Sequence, residues 1–184
     1  MAAYTIRESD INLLRQTGVS EDDIGHCVKV AQKALEIAVR CAGGMDMELI
    51  ARGALFHDLG KSKTHDIEHG KIGAELGKAL GLPTAITDIM EKHIRGGLTP
   101  DEARELELPV KDYSLKTIEE KIVIYADRLV DIIYDGIVEL SKDKEAEDKF
   151  VEILTKYPQY GKNEITLRRY IAYHDEIQGL MAKA

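Results

Sequence analysis

The chain has no tryptophan and two phenylalanines, and aromatic residues make up 5% of its 184 positions. Small β-sandwiches and barrels draw on aromatic and β-branched runs. No stretch here alternates apolar with polar residues as a half-buried strand does. Cysteine is also scarce. Cys27 and Cys41 show no CxxC or zinc-finger spacing, so we expect reduced, partly buried small residues rather than a disulfide or a metal clip. No apolar run reaches the roughly 18 residues that would span a bilayer. The opening MAAYTIRESD has neither the basic region nor the apolar stretch of a secretory leader. These absences make the expected location cytoplasmic, with no membrane partner. Positive charge is in deficit, with a net charge of −8. That argues against an extended nucleic-acid partner, which needs a positive surface. A small phosphorylated substrate remains open, because a few basic side chains or a metal ion can hold one phosphate.

Apolar residues at 44% and charged residues at 32% give an ordinary globular balance. No repeat, low-complexity tract or linker divides the sequence, so the expectation is one domain, 1–184, of the all-α class. Helical spacing predicts a short helix at about Ser9 to Gln16, and a second opened by Ser20 and stopped by Gly43-Gly44. In the second, Glu21, Asp22 and Asp23 suit the helix dipole, and Ile24, Val28, Ala31, Leu35 and Ala38 share one face. Further helices are predicted at about Asp46 to His57, Ile67 to Leu80, and Pro83 to Gly96-Gly97. A short one follows Thr99-Pro100. A long one spans Thr117 to Leu140, and two more lie near Lys144–Tyr157 and Asn163–Lys183. Tyr4, Tyr125, Tyr134, Tyr157, Tyr160, Tyr170 and Tyr173 are read as packing residues.

The histidines carry the chemical signal: His26, His57, His65, His69, His93 and His174. Imidazole is the commonest protein metal ligand, and carboxylates complete such sites. His-Asp pairs occur at 57-58, 65-66 and 174-175, and their surroundings differ. His65-Asp66 lies in a polar loop, and His174-Asp175 lies in a charged, tyrosine-rich helix. His57-Asp58 ends the apolar helix ALFHDLGK, where burying both groups is costly unless something such as a metal satisfies them.

ALFHDLGK resembles the HD[IL]GK signature of the HD superfamily of metal-dependent phosphohydrolases. That family carries an earlier His on its own helix, matched by His26 in DDIGHCVKV, and a later Asp, matched by Asp127 in YADRL. The resemblance covers about Val19 to Leu140. It implies an HD-type helical bundle with a metal-binding core at about 19–140, followed by C-terminal helices at about 141–184. The wider pattern is similar to small archaeal HD proteins of unassigned substrate. Some members add two further ligands, matched by His69 in HGKIGAEL and His93 in EKHIRGG; His65 is an alternative to His69. The implied ligand set is His26, His57, Asp58 and Asp127 for one divalent metal and Asp58, His69 and His93 for a second, with Asp58 bridging. Manganese, iron, magnesium, nickel and zinc all suit such ligands.

The implied reaction is hydrolysis of a small nucleotide-like phosphate ester or anhydride by metal-activated hydroxide, with Asp58 and Lys61 catalytic. Lys61, Arg95 and Arg128 are the expected substrate-binding cations. Asp127, Asp131 and Asp135 recur every four residues along one helix, as an acidic wall extending from the metal site would, with Asp135 read instead as part of a solvated stripe. Two other readings stand beside the hydrolase: an HD-type di-iron oxygenase of a polyol or phosphonate, and a non-catalytic nucleotide-sensing module. A homo-oligomer is compatible with all three.

Overall fold

The computed structural model describes residues 4–184 and contains, among these residues, helices and turns without a strand. The fold centres on two helices. α2 (Glu21–Arg40) is capped by Ser20, whose hydroxyl accepts from the Asp23 N–H at 3.1 Å, with three acids in its first turn. α7 (Ile118–Tyr134) opens with a capping box in which Thr117 and Glu120 satisfy each other's backbone N–H groups. Nearly every side chain of α7 from Ile122 to Ile133 is buried, so this helix is wrapped on all sides.

The short helix α1 (Glu8–Thr17) precedes α2, and α3 (Met47–Phe56) packs against α2 and α7. A 3-10 turn at Leu59–Ser62 leads into α4 (His69–Ala79), which pairs with α5 (Thr84–Lys92). Backbone contact decides how close the turn and α4 come. A Cβ on Gly73 would lie 2.9 Å from the Gly60 nitrogen, and one on Gly60 would collide with the His69 carbonyl oxygen. A second turn at Ile94–Gly96 and α6 (Pro100–Glu105) follow. Around them Ile94, Leu98, Ala103, Leu108 and Tyr113 form a small apolar cluster beside the main core. The C-terminal part comprises α8 (Lys144–Asp148), α9 (Phe150–Lys156), α10 (Pro158–Gly161) and α11 (Glu164–Met181), with α11 lying on α7.

The all-α expectation holds, and several boundaries move. α2 stops at Arg40, short of Gly43-Gly44, because the chain turns extended at Cys41 and the Ala42 N–H donates to the Leu180 carbonyl of α11. α7 stops at Tyr134 rather than Leu140: Gly136 adopts φ 77° and the Ile137 N–H returns to the Ile132 carbonyl. The helix expected near Lys144–Tyr157 is two, broken at Lys149. The helix expected to reach Gly96-Gly97 ends at Lys92. Tyr134 is exposed and lies under the Lys29 ammonium, so it is not a packing residue.

Candidate metal centre

Five helices deliver their ends or one turn to a single point. α2 presents His26, the C-terminus of α3 presents His57 and Asp58, α7 presents Asp127, the N-terminus of α4 presents His69, and the residue after α5 is His93. His57 and Asp58 are 0% and 2% exposed, as the apolar helix before them demands. The two oxygens of Asp58 face different partners. Oδ1 lies 3.1 Å from His69 Nε2 and 3.4 Å from His93 Nε2. Oδ2 lies 3.3 Å from His57 Nε2 and 3.8 Å from His26 Nε2. Asp127 Oδ1 completes the second side, 2.9 Å from His26 Nε2 and 3.5 Å from His57 Nε2.

Three of the imidazoles are held in the same way. His57, His69 and His93 each donate Nδ1–H to a backbone carbonyl three residues earlier, those of Ala54, Asp66 and Met90, all at 2.7 Å. A proton on Nδ1 leaves a lone pair on Nε2, aimed into the site, which is how metal-binding histidines are oriented. The fit to a cation is tested by what these lone pairs meet. His57 Nε2 is buried without a hydrogen-bond partner. His69 Nε2 and His93 Nε2 stand 2.8 Å apart, where two lone pairs repel unless a proton or a cation lies between them. His26, His57 and Asp127 form one group compact enough to hold a metal ion, and Asp58, His69 and His93 form another. Cys27 lies beside His57 and Asp58, but burial pushes its thiol up and keeps it protonated.

The electrostatics agree with a site for positive charge. Burial opposes ionisation of Asp58 and Asp127, yet the surrounding imidazoles outweigh it and hold both carboxyls well below the usual range. Burial would likewise lower His57, but Asp58 and Asp127 raise it well above its usual value. Asp131 has burial and the charge of Asp127 against it and is pushed up to about 6.

The centre opens into a cavity of about 390 Å³ whose lining includes His26, Asp58, His69, His93 and Asp127. Lys61 reaches in with its ammonium 2.6 Å from Asp58 Oδ2. Arg95 and Arg128 also line this cavity. Of the alternatives left open, His69 rather than His65 faces Asp58; His65 sits at the rim with a side chain 66% exposed, 3.1 Å from Asp23. His174 lies elsewhere, stacked on Phe150. Asp131 belongs to the cavity wall, whereas Asp135 is exposed. Lys162 and Tyr170 line the cavity as well, and no sequence motif pointed to them. Tyr170 was legible only as a packing residue, and Lys162 sits in an irregular turn.

A family model described as HD domain matches residues 23–130, a span that contains all six clustered histidines and aspartates. The chain belongs to the HD domain family. Its motifs, its helical fold and its His/Asp clusters are those of this family of metal-dependent hydrolases. An uncharacterized protein of Methanocaldococcus jannaschii is 39% identical over 88% of this chain and 91% of that one. A tRNA (cytidine(56)-2'-O)-methyltransferase of Picrophilus torridus is 39% identical over 97% of this chain but only 48% of its own length. In that comparison the chain spans about half of the relative's length. Among solved structures, the HD domain of the L. monocytogenes phosphodiesterase PgpH in complex with cyclic-di-AMP superposes with a TM-score of 0.58. It covers 98% of both chains at 18% identity, a likeness of fold. Among the described residues no helix is long and apolar enough to cross a membrane.

Proposed function

We propose that this protein is a phosphohydrolase cleaving a small nucleotide-like phosphate ester or anhydride at a two-metal centre. His26, His57, Asp58 and Asp127 would hold one divalent cation, and Asp58, His69 and His93 the other. The observation that carries this reading is the split of Asp58, with one oxygen toward each group of imidazoles. Bound there, divalent cations supply Lewis acidity: they acidify water and offset the charge of phosphoryl oxygens.

The remaining work falls to the chain. Carbonyl-anchored imidazoles keep their orientation without reorganising during turnover. Lys61, 2.6 Å from Asp58 and lining the cavity, would bind a phosphoryl oxygen beside the centre. The cavity volume of about 390 Å³ suits a small ligand. A net charge of −8 suits a small substrate better than an extended nucleic acid. The PgpH domain, whose structure holds cyclic-di-AMP, supports a phosphate ester of this class.

Metal analysis of the purified protein, combined with phosphate release from a panel of nucleotides in added manganese or iron, tests the reading. About two metals per chain with turnover is the expected result. Metal-loaded protein that consumes oxygen and releases no phosphate would replace the hydrolase with an oxygenase. Metal-loaded protein inert in both assays would leave a sensing module.

A further inference from the structure

Beyond the ligands, the cavity gathers positive charge. Arg95, Arg128 and Lys162 line it together with Tyr170. Burial lowers the Lys162 ammonium below its usual pKa, the charges of Arg128 and Arg95 lower it further, and Asp131 acts in the opposite direction. Arg128 is 8% exposed. Its guanidinium touches Asp131 and the Tyr170 hydroxyl, both at 3.2 Å, while its Nε is buried without a partner. Neither Arg95 nor Lys162 has a carboxylate at ion-pair distance among the described residues.

The backbone adds an independent sign. Arg95 (φ 50°, ψ 28°) and Lys162 (φ 63°, ψ −87°) occupy left-handed conformations that favour glycine. Glu107 shares this conformation (φ 58°) away from the cavity; at Arg95 and Lys162 it falls on the cavity wall, where backbone strain is a sign of a functional position.

We propose that Arg95, Arg128 and Lys162 form a subsite for a second, non-reacting phosphate, so that the substrate carries two phosphates, as a dinucleotide or a nucleoside bisphosphate does. This rests on the phosphohydrolase reading: one phosphate engages the Asp58–Lys61 end, and a monophosphate leaves the second group of cations uncompensated.

The test compares binding of AMP and adenosine 3′,5′-bisphosphate by calorimetry, on manganese-loaded wild type, Arg95→Gln and Lys162→Gly. Wild type should prefer the bisphosphate by about tenfold or more, and each variant should lose most of that preference. Glycine relieves the backbone at 162, so Lys162→Gly should melt no lower than wild type, which separates lost recognition from lost folding. Equal affinity for both probes, no measurable binding of the bisphosphate, or variants that keep the preference would overturn the subsite. The readout needs no turnover. Preference without phosphate release from the nucleotide panel would sink the hydrolase reading and keep the subsite. Phosphate release without preference would do the reverse.

Discussion

Asp58 is the residue on which the site turns. Its two oxygens serve separate groups of imidazoles, so Asp58→Asn, which removes the charge and one acceptor, should strip both metals rather than one. Metal affinity should fall by more than about 100-fold, beyond what the loss of a supporting partner costs, and phosphate release should vanish with it. Retention of one tightly held metal would show that Asp58 does not bridge. His174 offers a prediction about stability. Burial lowers its imidazole below the usual value of about 6.5, and it lies 2.8 Å from the Tyr125 hydroxyl and flat on Phe150. The unfolded chain therefore takes up this proton at a higher pH than the native one. The stability His174 contributes is full above about pH 6.5 and is lost as the pH falls through the depressed native value. Melting curves of wild type and His174→Asn between pH 7.5 and 5 should converge as the pH drops; a gap that stays constant would refute the assignment.

Among the elements, the turn at Leu59–Ser62 and α4 place Lys61 and His69, and they do so by backbone contact. Gly73→Ala puts a Cβ 2.9 Å from a backbone nitrogen that has no side chain to move aside. The expected cost is about 1–3 kcal/mol, lowering Tm by about 2–4 °C per kcal/mol, with weaker metal binding because His69 moves. Gly25, in α2, has nothing within 4 Å of its missing Cβ. Gly25→Ala should therefore stabilise by about 0.5–1 kcal/mol, and the opposite signs can be read from two melting curves. α11 restrains the other wall. Arg169 donates to the Arg95 carbonyl at 3.0 Å and to Glu102 at 2.6 Å, and the Tyr173 hydroxyl donates to the Gly96 carbonyl at 2.8 Å. Arg169→Ala should loosen the turn that carries Arg95. A several-fold rise in KM with little change in kcat is expected from steady-state kinetics; a kcat loss alone would place Arg169 in the chemistry instead.

At the scale of the whole molecule, a metal held at the candidate centre would also tie helices together. The centre's six residues come from α2, the end of α3, α4, the end of α5, and α7. A cation bound to the native state and not to the unfolded chain stabilises by mass action, by about 2.7 kcal/mol at 100 times its Kd. EDTA should therefore lower the melting temperature by several degrees, and manganese should restore it. No change on chelation of protein known to contain metal would mean that the helices hold the centre without being held by it.

Much of this was open to the sequence, because it concerned local pattern. Helical periodicity and caps such as Ser20 and Thr117 act within a few residues, so the all-α class and the positions of the main helices follow from the chain alone. His57-Asp58 was distinguishable from two other His-Asp pairs by the apolar helix that ends on it. His26 and Asp127 followed by resemblance. Where α2 and α7 stop depended on partners: Leu180 is far along the chain from Ala42, and the Asp135-Gly136 stop competed with a helical pattern that continued to Leu140. Tertiary structure alone chose His69 over His65, since the two are four residues apart in sequence and only the packing of α4 against α5 brings one of them to His93. It alone brought Lys162 and Tyr170 to the cavity that Arg95 and Arg128 share. Coordination by a buried His-Asp pair leaves a mark in local sequence because desolvation must be offset where it occurs. A pocket wall assembled from α7, a turn after α5 and a C-terminal helix has no local cost to record, so it becomes visible only once those elements meet.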